Sequence, residues 1–502
     1  MSGSRSEYIF LLLILAIASF LFLSNLGNQY LWQDEAQTAL ISKTVLTHGV
    51  PLGYDGKNYF SQCFGADYGK NYLWRLHPWF PFYAVAAVFK LFGVSTFTAR
   101  LPFSIFGILT IFLTYYFSKS IFKRKAPAAI AATLLLFAVP FIILSRQCRY
   151  YSMAAFFSLL GLYSYHNLLE NKRFASGLFF FSSTLLFHTN YVFAAPLLLS
   201  VLFHAFLFRR EKFSRALFLS LAVVGLNLPW AVWFLKMRYS EPDVASFING
   251  PGQFLEHSLF FGNCIVRYIF HPLLFAVSAF VLWYRRKEGA KAPPNDDIDW
   301  QGLYLLLFFI FFTIVLLALG TRGPFFRYLC QTIPVFYMIA ALIVFGAMRV
   351  NLLIGTLAMA VLIFVNPLPD YLYEITRDYD GPIEGIVEFL KEYGKESDTA
   401  AITYGDLPVK FYTNMRVVGG LTGEDLSPAK DADWVILRKY GFADKGNEVR
   451  EYLIENVPWD KYRGRRIDYP DILFENRETP WEHHYRTVKD EDRVVIYRRM
   501  SK

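Results

Sequence analysis

YIFLLLILAIASFLFLSNL, residues 8–26, runs almost directly into YLWQDEA, residues 30–36. The apolar run is close to the ~20 residues needed to cross a bilayer. It lacks the small-residue site of a cleaved signal peptide, so the sequence predicts a retained helix. The Asp34-Glu35 pair that follows opens a long loop over residues 27–96. Two adjacent carboxylates held against a membrane surface are candidates for a general base.

Composition extends this reading to the whole chain. Of 502 residues, 55% are hydrophobic, 19% aromatic and only 18% charged, which lies outside the soluble globular norm. Apolar runs recur from Tyr8 to about Val365, and a charged, mixed segment follows. The expected fold is an α-helical polytopic membrane protein of about eleven transmembrane helices with a C-terminal extracytoplasmic α/β domain. Residues 1–366 are read as the membrane domain, including the first outer loop 27–96, and residues 367–502 as the soluble domain. The tail shows a helix near 383–393 and strands near 398–404, 433–437 and 493–497. The net charge of +9 requires no nucleic-acid partner, because basic inner loops account for it. Cys63, Cys148, Cys264 and Cys330 show neither metal-type spacing nor a disulfide framework.

Charge gives the topology. Candidate spans are 8–26, 97–118, 126–145, 150–169, 174–188, 191–208, 216–235, 264–284, 301–320, 325–347 and 350–366. The basic loops 119–125, 172–173, 209–215 and 285–291 all fall inside if segment 77–93 lies in the outer interface and does not cross. Asp34, Glu35, His77, residues 146–151, residues 188–191, the 236–262 loop, residues 321–328 and the tail are then extracytoplasmic. No internal repeat is apparent, and the one linker-like stretch, 291–299, belongs to an inner loop. A repeat-built transporter is not suggested.

Each polar cluster has a structural reading beside a functional one. Gln37 stands three residues after Asp34, a capping-box spacing, so Asp34 reads as a helix cap as well as a base. SRQCRYY, 145–151, puts Arg146 and Arg149 at the end of an apolar helix, where charge needs a partner; snorkelling beside Tyr150 and Tyr151 competes with phosphate binding. Arg322 and Arg327, in TRGPFFRY, 321–328, add two outward cations against the positive-inside trend, and that excess points to an anion. His77, His188 and Asn190 interrupt apolar sequence; either histidine alone is more often a packed residue than a metal ligand. No Gly-rich phosphate loop, Ser-His-Asp signature or zincin motif is present.

The order of WQDEA (32–36), YLWRLHP (72–78), KLFG (90–93), ARLPFS (99–104), SRQCRYY (145–151) and RYL (327–329) before Pro334 resembles the polytopic glycosyltransferases of the C fold (GT-C), in the branch holding protein O-mannosyltransferases and the lipid A aminoarabinose transferase. The resemblance implies an inverting enzyme that moves a sugar from a polyprenyl-phosphate carrier to a glycolipid, polysaccharide or protein acceptor at the outer face of a bacterial inner membrane. It assigns the base to Asp34 with Glu35 as neighbouring acid, and the donor phosphate to Arg146, Arg149 and Arg327. His77, Tyr150, Tyr151, His188, Asn190, Arg322 and Tyr328 become substrate-binding candidates. Trp79 replaces the second proline of the family's His-Pro-Pro, and Tyr150-Tyr151-Ser152 stands where several relatives carry an acid. No cofactor is required; a divalent metal is compatible but no pattern calls for it. A lipid-linked sugar flippase, or a relative without catalysis, is the alternative.

Overall fold

The computed structural model describes residues 5–238, 249–288, 298–439, 445–472, 478–488 and 492–500. Three sequence features lie partly outside the described residues: the outer loop 236–262 at 239–248, the basic loop 285–291 at 289–291, and the linker 291–299 at 291–297. The chain divides into two compact units. One holds Met1–Ser24, Phe103–Leu372 and Glu478–Trp481; the other holds Asn25–Pro102, Tyr373–Arg477 and Glu482–Lys502.

The first unit is helical, and each expected span falls on a helix or a bent helix pair. Among the described residues six helices are long and apolar enough to cross a membrane, or nine if each bent pair is one span. The three bends, of 61°, 77° and 45°, have Pro140, Pro272 and Pro367 beside them, where a proline interrupts the helical hydrogen-bond ladder. The count falls short of eleven because helix Ala175–Thr189 has only 15 residues and helix Tyr151–Leu169 is polar. The latter carries Ser152, Ser158, Ser164, His166 and Asn167, all buried, so it faces protein along most of its length.

The basic loops share one end of this unit. Glu7, buried at the start of helix Arg5–Leu23, accepts from Lys119 and pairs with Lys125 at 2.8 Å. Lys123 and Lys172 both pair with Glu170, at 3.1 and 2.6 Å. Lys212 donates to Asn171 (2.6 Å) and Arg215 to Ser176 (2.7 Å). Loops 119–125, 172–173 and 209–215 are therefore bonded into one basic end, the arrangement the charge pattern predicts.

In the second unit the long first loop, read from the sequence as part of the membrane domain, packs with the C-terminal segment. A five-stranded sheet has the order β2-β1-β3-β5-β4, with β1 (Thr399–Ile402), β2 (Arg416–Gly419), β3 (Trp434–Ile436), β4 (Tyr462–Pro470) and β5 (Arg493–Arg499). The first three strands are parallel, and β5 runs antiparallel to β3 and β4. Alternation along the strands feeds two cores: Ala400 and Ile402 pack with Ile383, Ile386 and Leu390 of helix Pro382–Tyr393, while Ala401, Val418 and Val435 pack with Val449 and Leu453.

The first loop is stitched to this domain by specific bonds. Asn58 donates to Met415 O (2.9 Å) and accepts from Val417 N (2.8 Å), so its amide extends the free edge of β2. Gln33 donates to Asp406 (2.7 Å), whose other oxygen pairs with Lys410 at 2.7 Å; all three are buried. Gly420, at φ +66°, is required there, since a Cβ would lie 2.0 Å from an Asp406 oxygen. Segment 77–93 forms the helix Phe80–Phe92, 13 residues or roughly 20 Å, too short for a ~30 Å hydrocarbon core.

Candidate active site

The acid pair splits on folding. Helix Gln33–His48 begins one residue before Asp34, with Trp32 in extended conformation as its N-cap. The Asp34–Gln37 capping box therefore does not form; Glu35, at the third helical position, instead accepts from the Trp32 backbone N–H at 3.4 Å. Successive helical residues point about 100° apart. Glu35 turns inward, fully buried, and takes Arg100 in a two-pronged pair: Nε to Oε1 at 2.8 Å and Nη2 to Oε2 at 2.6 Å. Arg100 also donates to the carbonyls of Leu26 (3.0 Å), Gln29 (2.8 Å) and Tyr30 (3.3 Å), which fixes the approach of the chain to the helix. Glu35, expected as a second acid beside the base, is committed to this pair. Asp34 is half-buried on the adjacent face of the first turn.

His77 lies in the same unit and stacks on the buried Trp74, ring centroids 6.2 Å apart and nearly parallel. Nearby, Tyr54, Tyr59, Tyr68 and Tyr72 form a ring cluster with centroids 4.4–5.8 Å apart. A hydrogen bond with Tyr72 and then burial push the Tyr59 hydroxyl up to about 12, and burial does the same for Tyr68.

In the first unit the cationic motif is a buried turn. Helix Val139–Ser145 ends and helix Tyr151–Leu169 begins across residues 146–150, every one of them buried. Arg146 donates to the carbonyls of Leu21 (3.2 Å) and Ser24 (2.8 Å) at the far end of helix Arg5–Leu23 from Glu7, and its guanidinium faces the Tyr371 ring. The turn thus stands at the end of the unit opposite the basic loops. The Arg149 guanidinium is 5.9 Å from the Tyr150 ring, and Tyr150 meets Tyr151 and Phe193 edge-on. The sequence motif gives Gln147 no role, yet it is 2% exposed and neither its amide nitrogen nor its amide oxygen has a partner among the described residues. A buried carboxamide left in this state costs about 1–3 kcal/mol unless a ligand satisfies it.

Arg327 and Tyr328 lie close enough to Tyr150 to act on it electrostatically. Arg327 is held by the Phe325 ring at 4.3 Å and by Glu478 at 3.1 Å. Glu478, from the short tail segment that packs in this unit, had no signal in the sequence: it is one acid in a charged tail. The Ser158 to Gln331 bond (3.0 Å) anchors the same region to helix Tyr151–Leu169. Arg322 is exposed. His188 packs edge-on against Trp230, and Asn190 spends its oxygen on the N–H of Val192 as the cap of helix Tyr191–Phe208. Among the described residues no three His, Cys, Asp or Glu side chains gather into a set able to hold a metal ion.

Residues 76–233 match the family described as dolichyl-phosphate-mannose-protein mannosyltransferase. No curated protein matches the chain. Among solved structures, ArnT from Cupriavidus metallidurans bound to undecaprenyl phosphate is similar at 13% identity, covering 98% of this chain and 98% of that one, with TM-score 0.58. The archaeal oligosaccharyltransferase AglB from Archaeoglobus fulgidus, in complex with an inhibitory peptide and a dolichol-phosphate, is similar at 14% identity, covering 92% of this chain and 69% of that one, with TM-score 0.56. On the family match and the fold, the chain is an integral membrane protein of the C-type glycosyltransferase fold, similar to the branch of the protein O-mannosyltransferases and the lipid A aminoarabinose transferase.

Proposed function

We propose that the chain transfers a sugar from a polyprenyl-phosphate donor to a hydroxyl or amine acceptor at the extracytoplasmic face of a bacterial inner membrane. The observation that carries this reading is the buried turn at 146–150, where two guanidinium groups flank a carboxamide lacking partners among the described residues. That set suits a phosphate and its attached sugar: Arg146 and Arg149 for the phosphate oxygens, Gln147 to donate to one of them or to a sugar hydroxyl. Arg327 adds a third charge. The undecaprenyl phosphate in the ArnT structure and the dolichol-phosphate in the AglB structure support a polyprenyl carrier.

In the proposed reaction Asp34 takes the proton of the acceptor as its oxygen or nitrogen bonds to the sugar's anomeric carbon. The bond from that carbon to the phosphate oxygen breaks, and the electron pair leaves with the polyprenyl phosphate. The arginines stabilise the departing charge, and a single displacement inverts the anomeric centre. The basic end of the first unit is assigned to the cytoplasm by the positive-inside tendency, which puts the turn at 146–150 outside. Purified chain incubated with a polyprenyl-phosphate sugar and a mixture of envelope glycolipids and peptides should release polyprenyl phosphate in step with a new glycoside. Binding of the donor without release would favour a flippase.

A further inference from the structure

The first unit holds a second feature with the makings of a ligand site, at the end away from residues 146–150. A cavity of about 260 Å³ is lined by the apolar side chains of Val281, Leu282, Trp300 and Leu342 and by two arginines, Arg124 and Arg349. Arg124 belongs to the basic loop 119–125, and Arg349 stands in the last turn of helix Ile333–Val350. That helix is roughly 27 Å long, with Arg327 just before its start, so this cavity and the proposed donor site are a helix length apart.

Two observations say what covers it. Leu282 is 68% exposed and Trp300 51% exposed, which is apolar surface that water would not cover cheaply. Both sit on helices of the membrane unit, Leu273–Glu288 and Trp300–Gly320, so the medium against them is lipid. Both arginines are half-buried at the cavity, which suits a phosphodiester more than the hydrated surface. The volume is below the ~300–1,000 Å³ that encloses a whole drug-sized ligand, so it fits a headgroup and the first part of its chains.

We propose that this cavity binds an anionic phospholipid, with the phosphate between Arg124 and Arg349 and the acyl chains along Val281, Leu282 and Leu342. The site is independent of sugar transfer: it lies at the basic end, where anionic lipid headgroups are drawn to clustered arginine and lysine. Its role is to hold the ends of the helices that carry the basic loops.

The test is native mass spectrometry of the full chain, delipidated in detergent and titrated with phosphatidylglycerol or phosphatidylcholine of identical acyl chains. Wild type should retain phosphatidylglycerol about tenfold better, and Arg124→Gln with Arg349→Gln should bring it down to the phosphatidylcholine level. Gly346→Leu tests the volume separately: a Cβ at Gly346 meets Val281 at 3.6 Å, an ordinary contact, and the larger side chain fills cavity space without removing either charge. It should lower retention of both lipids. Equal retention of the two lipids by wild type, no lipid retained by wild type, or phosphatidylglycerol retention unchanged in both variants would each overturn the proposal.

Discussion

Buried charges beside the candidate residues are held differently in the two units. In the second unit two buried acids close on specific cations: Glu35 on Arg100 and Asp406 on Lys410. In the first unit, Arg146 is held by backbone carbonyls and a ring, and Gln147 beside it has no partner among the described residues. A side chain closed in an ion pair has its geometry fixed and its charge spent. One held by carbonyl oxygens keeps its positive charge for something else. The difference separates residues that hold the fold, such as Glu35, from residues available for chemistry.

The largest effect should come at Asp34. Asp34→Asn keeps the size of the side chain and removes the proton acceptor, so turnover should fall by about 10²–10⁴ while the melting temperature stays close to wild type. An Asp34→Asn enzyme that turns over normally would return Asp34 to a structural part of the helix start.

Next comes the pair beside it. Arg100→Ala leaves Glu35 buried without its cation, a change that costs about 3–5 kcal/mol and should appear as a large loss of folded protein. Replacing both with Met removes the uncompensated charge and should restore much of that stability. If Glu35 only positions the helix, the doubly substituted protein regains turnover. If it regains its fold and stays inactive, Glu35 takes part in the reaction.

How much of this the sequence revealed follows from the range of each interaction. The helices, the first span among them, and the shared end of the basic loops came from local hydropathy and charge. Helix Pro382–Tyr393, β1, β3 and β5 came from local pattern. Strand β4 was missed because YRGRRIDYP is charged, as an edge strand facing water is, and the short β2 was missed as well. The union of the first loop with the tail was invisible, since it depends on Gln33 meeting Asp406 and Asn58 meeting β2 across more than 300 residues. At the candidate site the residue types were legible, and their division into spent and unspent side chains was not. Nothing in WQDEA says that Glu35 reaches Arg100.

The cationic turn should show intermediate effects on donor use. Alanine at Arg146, Arg149 or Arg327 should weaken polyprenyl-phosphate-sugar affinity about ten- to a hundredfold, the loss of one charge-assisted hydrogen bond of roughly 1.5–3 kcal/mol. Lysine should recover part of it, since it restores charge without the planar fork. Titration of purified variants with donor gives the answer, and unchanged affinity in all three would remove the donor phosphate from this turn.

Gln147→Leu sharpens the same point at smaller scale. Without a ligand role the leucine removes a buried amide that lacks partners among the described residues, so the protein should melt higher with donor affinity unchanged. With one, the protein still melts higher but donor affinity falls by about three- to tenfold, the worth of one neutral hydrogen bond. Stability and affinity moving in opposite directions is the signature of a residue kept for its ligand.

The smallest effect lies in the second unit, at an acid that forms no ion pair among the described residues. Burial holds the Glu424 carboxyl above its ordinary range of about 4.5, and Asp406 adds to this, while Lys410 and the Thr422 hydroxyl act the other way. The folded chain then binds the Glu424 proton more tightly than the unfolded chain does. Its contribution to stability is present below about pH 4.5 and is lost as pH rises through the elevated folded value. Glu424→Gln stays neutral throughout, so its melting temperature should match wild type below that pH and exceed it by about 2–4 °C near neutrality. Thermal unfolding of both proteins across pH 4–8 isolates this difference from every other titrating group. A wild type that melts above Glu424→Gln near neutrality would mean that Glu424, like Glu35, has found a cation after all.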